Sequence, residues 1–399
     1  MMSSLDTAKP ASRTLGCAPG FLCGAAGFFL AFRSCLTFLF FQSDPQLGTA
    51  VRLGATLGWL LIIVGYSIID PPRRVVSAQC APLRWIVLYL TFAGLSLLWT
   101  AASPGIATGY WIGIACDVTS VYLLLRYPNV EDHAGRIMAG FVIGTVIVAT
   151  VAWFSPVMDD LRLGNEEFLH PNLIGFEFGI GTLLAAYLAQ SKKLWIWVAI
   201  GLGVTMVRSL SKGTIIAFLF SGLYYLLRGL KVTTRARFWI GLVCSIVLAS
   251  FWGLAEAYLD LYTQGNNVET LTGRTYIWTQ SLDLAFDKPW FGHGFDSLRW
   301  VFPPFGGFQP NHAHNEFVQQ LFAYGIIGMV IVVGAYWSFY LYIRQATNVQ
   351  LKALATAILL LVLVRGLVDT DQFDLAFPLW LMTLLSVSLA GSHVSTTHS

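Results

Sequence analysis

Residues 312–342 read HAHNEFVQQLFAYGIIGMVIVVGAYWSFYLY. A polar head with two histidines, an asparagine and a glutamate runs straight into an apolar stretch that carries no charge from 317 to 342. At about 1.5 Å of rise per residue, a helix of this length covers the roughly 30 Å of a bilayer's hydrocarbon. The stretch therefore reads as a membrane helix with a polar mouth at the water interface. Composition extends that reading to the whole chain. Of its 399 residues, 56% are hydrophobic and only 11% charged, and mean hydropathy is +0.66. A soluble domain carries about a quarter charged residues, so this chain is read as a polytopic, all-α membrane protein.

Apolar runs long enough to span fall near 18–41, 48–69, 84–102, 106–125, 137–155, 172–189, 194–210, 213–229, 238–257, 315–342, 352–368 and 373–391. This gives about twelve transmembrane helices in one domain over 1–391, with a polar tail at 392–399. With the N-terminus cytoplasmic, 15 of the 24 basic residues fall in cytoplasmic segments, which satisfies the positive-inside rule and predicts both termini cytoplasmic. The run at 21–41 is too long for a cleavable signal and is expected to be the first membrane helix. The six cysteines show no C-x-x-C spacing and are expected to be small bundle- or lipid-facing residues. No Gly-rich nucleotide loop, Walker motif or Ser-His-Asp order is evident, which argues against ATP-driven chemistry within this chain.

Two outer connectors are long, about 156–171 and about 258–314. Within the second, Trp278, Leu282, Ala285 and Phe286 recur at helical spacing, which predicts an amphipathic helix on the membrane face from Arg274 to Phe286. Pro289, Gly292 and Gly294 are expected to end it. Only Arg33 and Glu177 are read as charges deep in the spans.

The outer face collects the chemistry, and each group there has a bland reading beside a sharper one. Arg208 and Lys212 either snorkel to headgroups or clamp an anion at the start of the eighth span. Arg274 either pairs with Asp283 or Asp287 on the surface or grips a diphosphate with its planar fork. His312 and His314 suit a catalytic base, a metal site completed by His293 or by Asp369 and Asp371, or helix capping; Asn315 could hold a ring or cap the helix. His170 is at least a cap before Pro171. Asp369 either forms an ion pair with Arg365 or accepts hydrogen bonds from sugar hydroxyls; Asp371 and Asp374 lie beside it.

Six blocks of sequence, HPNLIG (170–175), SLSKGT (209–214), TGRTYIW (272–278), PWFGHG (289–294), HAHNEFVQQLFAYGIIG (312–328) and RGLVDTDQFD (365–374), together resemble the bacterial O-antigen ligase and O-antigen polymerase superfamily. The resemblance covers roughly 150–390; the first five spans match only in being hydrophobic. It implies a GT-C-like inverting glycosyltransferase of the bacterial inner membrane that needs no metal, nucleotide sugar or other cofactor and acts at the periplasmic face. The donor it implies is a glycan on undecaprenyl diphosphate. The acceptor is a second glycan, with chain-length regulators and export proteins as further partners and no nucleic acid. By matched position, the resemblance makes His314 the base and sets Arg274 and Lys212 on the diphosphate with Arg208 nearby. The remaining substrate contacts are His312, Asn315, His170 and Asp369. Many relatives carry Arg where this chain has Lys212, and versions with Lys look more like exopolysaccharide polymerases. Polymerisation of lipid-linked repeat units is therefore the expected function, with an O-antigen ligase and a lipid-linked glycan flippase or exporter as alternatives. A metal-dependent membrane hydrolase is a further reading of the H-x-H pair.

Overall fold

The computed structural model describes residues 18–72, 80–155, 162–165, 169–230, 233–235, 238–239, 241–242, 271–304, 309–370 and 378–394. Apart from one isolated bridge between Asn165 and Leu169, regular structure among these residues is helical. Helix α1 (Ala18–Phe32) passes through a 3-10 turn (Arg33–Cys35) into α2 (Leu36–Phe40). There follow α3 (Pro45–Ile69), α4 (Ala81–Ser96), α5 (Pro104–Leu124), α6 (Val130–Phe154), α7 (Pro171–Leu188), α8 (Leu194–Arg208) and α9 (Lys212–Arg228). The later elements are α10 (Leu271–Asp287), the short α11 (Leu298–Val301), α12 (Glu316–Gln345), α13 (Val349–Gly366) and α14 (Leu379–Val394).

Seven helical segments are long and apolar enough to cross a membrane: Pro19–Phe40, Pro45–Ile69, Pro104–Leu124, Val130–Phe154, Pro171–Leu188, Glu316–Gln345 and Val349–Gly366. They coincide with the expected first, second, fourth, fifth, sixth, tenth and eleventh spans. The expected third, seventh and twelfth appear as shorter apolar helices, Ala81–Ser96, Leu194–Arg208 and Leu379–Ala390. Local chemistry sets two of these ends. Beyond α4, Thr100 Oγ1 donates to the Phe295 carbonyl at 2.6 Å, which ties the chain to the loop after α10. Beyond α8, Leu210 takes a left-handed φ of 53°, which a helix cannot continue through. The expected eighth span is the 17-residue α9. Most of the expected ninth span and the start of the long loop lie outside the described residues, as do Asp371, Asp374 and most of the C-terminal tail.

The core is built where small residues let helices close. A Cβ on Gly27 of α1 would overlap the Ile137 carbonyl of α6, and one on Gly140 of α6 would overlap the Gly24 carbonyl. Close backbone approach of this kind is how helices gain packing energy in lipid, where burial of apolar surface drives little. Helix α14 is buried along most of its length, from Leu381 to Leu389. Large apolar side chains such as Leu98 and Phe154 face outward, 83% and 88% exposed, as a lipid-facing surface requires.

The predicted loop helix exists as α10, one residue longer at its C-terminal end than expected. Its most buried stripe is Ile277, Ser281 and Ala285; of the expected set Ala285 is buried, Trp278 and Leu282 are half-buried, and Phe286 is 70% exposed. Ile277 and Ala285 pack with Leu298, Phe302, Ala313 and Phe322, so the helix is docked on α12 as well as amphipathic. The turn after it plugs into a break in α12. Gly325 adopts φ 63° and ψ −162° inside that helix, and the freed groups bond to the turn. His293 N donates to Phe322 O, Gly294 N to Ala323 O, and Ile326 N to Pro289 O. A Cβ on Gly325 would meet the Pro289 and Trp290 carbonyls, which explains why glycine stands there.

Candidate active site

The chemistry converges on the six residues that end α13 and follow it, Arg365 to Thr370. They meet the starts of α9, α10 and α12 and the Phe176 ring of α7. Asn315 caps α12, its Oδ1 accepting from Phe317 N (3.0 Å) and Val318 N (3.1 Å), while its Nδ2 donates to Leu367 O at 2.9 Å. Arg274, near the start of α10, donates from NH1 to Val368 O at 2.7 Å. Gly213, beside Lys212 at the start of α9, packs so close to Val368 that a Cβ there would meet its Cγ2 at 2.7 Å. Thr370 Oγ1 donates to Glu316 Oε2 at 2.9 Å, and Gln320 Nε2 donates to the other oxygen of Glu316 at 3.2 Å.

Asp369 is the centre of this turn. Its Oδ2 accepts from Arg365 NH2 at 3.1 Å, and its Oδ1 accepts the Thr370 N–H at 3.0 Å. The same Oδ1 lies 3.2 Å from Nδ1 of His314. Burial works to raise the Asp369 pKa, but the Arg365 guanidinium and the bond to His314 outweigh it and hold the carboxyl well below its usual range. An ionised carboxylate only accepts hydrogen bonds. The proton between the two is therefore on His314 Nδ1, and Nε2 carries the lone pair in the neutral ring.

His314 is held unusually and keeps its side chain 21% exposed. Its backbone sits at φ 51°, a left-handed conformation that costs a non-glycine residue about 1 kcal/mol or more. Ala313 is fixed on either side of that strain, since its N–H donates to Gln319 Oε1 at 2.7 Å and its carbonyl accepts from Trp278 Nε1 at 2.9 Å. The His312 ring lies 4.2 Å from that of His314, tilted by 60°. Burial first, and then His314, push the His312 pKa well below 6.5, so it is neutral near pH 7.

Arg365 is 1% exposed, and its guanidinium lies 4.3 Å over the Phe176 ring of α7. The first residues of α7 thus reach the same turn. His170 caps that helix, its Nδ1 accepting from Asn172 N at 3.3 Å. Burial is the main cause that lowers its pKa, and Asp369, Arg162, His314 and Arg365 all act on it electrostatically. Lys212 is exposed at the first position of α9, and Arg208 is the last residue of α8, four residues earlier.

Several open readings are thereby decided geometrically. The ion pair of Arg365 with Asp369 is present. Arg274 spends an NH1 donor on Val368 O, which joins the start of α10 to the turn. His293 does not join the histidine pair: its Nε2 lies 2.9 Å from Leu284 O and its ring stacks on Phe322. His312, His314 and Asp369 alone form a metal-capable trio among the described residues, with donor atoms within 4.8 Å of one another. Arg365, bonded to Asp369, opposes a second positive charge there.

The sequence missed Glu316, Thr370 and Gln320 as the pins of this turn, and missed Asp117 as a deep charge. Asp117 receives both NH1 and NH2 of Arg33, at 2.7 and 2.5 Å. A carboxylate in mid-span, opposite a known deep arginine, was the available signal for the last of these.

Residues 196–333, from α8 into α12, match a protein family described as O-antigen ligase. The chain is also 24% identical over 337 residues to the exopolysaccharide production protein ExoQ of Rhizobium meliloti (strain 1021), covering 77% of this chain and 75% of that one. The two matches bear out the resemblance to the O-antigen ligase and polymerase superfamily, and to its exopolysaccharide branch. With seven helical segments apolar enough to cross a membrane, these matches support a membrane protein with an O-antigen ligase or polymerase-type function in polysaccharide biosynthesis.

Proposed function

We propose that the chain polymerises oligosaccharide repeat units carried on undecaprenyl diphosphate, at the periplasmic face of a bacterial inner membrane. The observation that supports this most is the His314–Asp369 contact, set in a turn that also holds Arg274. A hydroxyl of the acceptor sugar attacks the anomeric carbon of the donor from the face opposite the diphosphate. The new C–O bond forms as the bond to the diphosphate oxygen breaks, and configuration inverts. His314 Nε2 takes the hydroxyl proton, and Asp369 stabilises the imidazolium through Nδ1. The leaving diphosphate carries away the electron pair, and its growing charge meets Arg274 and Lys212 with Arg208 close behind. Positioned charge of this kind is usually the largest contribution to such a reaction. No step in this sequence draws on a metal.

In this reading Asp369 orients the base rather than binding sugar, because both its oxygens are engaged inside the protein. His312 and His170, both held neutral, add no positive charge against the imidazolium. The deciding experiment compares undecaprenyl-diphosphate-linked glycan lengths in one strain with and without this chain. A polymerase predicts loss of every species beyond one repeat. Long chains that persist and pile up on the lipid would point to a ligase or exporter instead. Activity is expected to survive a chelator; loss of it with EDTA would favour the metal-capable trio.

A further inference from the structure

The cavity in the membrane-spanning bundle is not at the His314 cluster but beside it. It has a volume of about 180 Å³ and lies between α1, α3, α5, α6, α7 and α14. Its polar lining includes Arg33, Arg52, Asp117 and Glu177, with Tyr110 and Trp380 among the aromatic walls. Arg52, Tyr110 and Glu177 each lie about two turns inside their helices, and Trp380 lies in the first turn of α14. Those are the ends that share a face with the start of α12. The cavity thus sits roughly 10 Å below the face that bears His314, at 1.5 Å per residue.

Two arginines and two carboxyl groups line it, and Arg33 is already paired with Asp117. Charged side chains at this depth are costly unless they serve a ligand or one another. Arg33 and Asp117 are satisfied as a fork pair, and Ser34 and Thr145 reach the Glu177 carboxyl, but the buried Glu177 Oε1 is left without a hydrogen-bond partner among the described residues. A buried acceptor left this way is costly, and a ligand hydroxyl would recover that cost. Mostly apolar walls with a few fixed polar groups are the composition of a small-molecule site. Aromatic faces with carboxylate acceptors and guanidinium donors suit a pyranose ring, with its C–H faces and rim of hydroxyls.

A short chain of side chains joins this space to His314: Phe176 lines the cavity and packs on the Arg365 guanidinium at 4.3 Å, and Arg365 holds the Asp369 that touches His314. Pro378, the first described residue after Thr370, also lines it. We propose that this cavity binds one neutral sugar ring of the acceptor glycan, next to the ring whose hydroxyl is activated. The assignment to the acceptor rests on the polymerase reading; the sugar site itself does not.

The test is saturation-transfer NMR on the full chain in lipid nanodiscs, with the methyl glycosides of glucose, galactose, mannose and N-acetylglucosamine as probes. At least one probe is expected to receive saturation. Its affinity should fall about tenfold, the worth of one hydrogen bond, in Glu177→Met, which removes the acceptor, and fall again in Trp380→Leu. Tyr110→Phe, a milder change, serves if Trp380→Leu does not fold. No saturation of any probe, or equal affinity in these variants, overturns the proposal. His314→Ala should bind the probe normally and make no polymer. Binding together with normal polymer in His314→Ala would keep the sugar site and remove the base assignment. Lost polymer without probe binding would do the reverse.

Discussion

Asp369 Oδ1 and His314 Nδ1 stand 3.2 Å apart across a gap of 55 residues, and a second oxygen of the same carboxylate holds Arg365. The pair fixes which nitrogen of His314 is free to take a proton. Asp369→Asn would present an amide whose NH2 can turn toward Nδ1 and favour the wrong tautomer. Initial rates of glycan transfer should fall about 100- to 10,000-fold, the range of a general base, and His314→Ala should fall at least as far. His314→Ala is expected at normal abundance in the membrane, whereas Asp369→Asn leaves the buried Arg365 without its charge partner, so its rate is compared per amount of folded protein. Full activity in Asp369→Asn would break the orienting role.

Arg274→Lys keeps the charge but loses the planar fork. A lysine can reach either Val368 O or a phosphate oxygen, whereas the guanidinium can serve both at once. Transfer is predicted to drop roughly 100-fold, in line with the loss of one positioned donor to a developing anion. An assay of kcat with donor in excess reads this directly, since a ground-state contact alone would raise KM and leave kcat intact.

His312 and His170 link stability to mild acid. Burial holds both neutral in the folded chain, so the folded state takes up their protons only below 6.5, while the unfolded chain takes them up near 6.5. The unfolded state therefore binds more protons as pH falls through that value, and stability declines from there downward and is flat above. Asp369 acts in the same direction only at much lower pH. Its stabilising effect is complete above 3.8 and is lost as pH falls toward its depressed folded value. The melting temperature of the detergent-solubilised protein should fall between pH 7 and 5, and His312→Gln should lessen the fall. A steeper fall in that variant would contradict this account.

Arg365→Met leaves Asp369 buried with one partner fewer. Removing one member of a buried pair costs about 3–5 kcal/mol because the other charge stays uncompensated. A lower unfolding midpoint is expected, with partial recovery when Asp369→Asn is added. Equal midpoints for Arg365→Met and the unaltered chain would show that this pair does not hold the turn.

The class of this protein, its apolar helices and the cap at Asn315 were legible from sequence because each depends on residues that are near in the chain. Hydropathy over about twenty residues, a cap followed by a helix, and glycines after a proline are local signals. The quoted blocks also brought His314, Arg274 and Lys212 to notice. What joined them was not legible. The turn from Arg365 to Thr370 collects Asn315, Glu316 and His314 from 52 to 55 residues away, and Arg274 from 94. The same holds for Arg33 and Asp117, 84 residues apart, and for His293, which spacing alone left open to a metal. Side-chain bonds of 3 Å have no period in the sequence, so only the packing of α7, α9, α10, α12 and α13 around one turn could decide which polar groups meet.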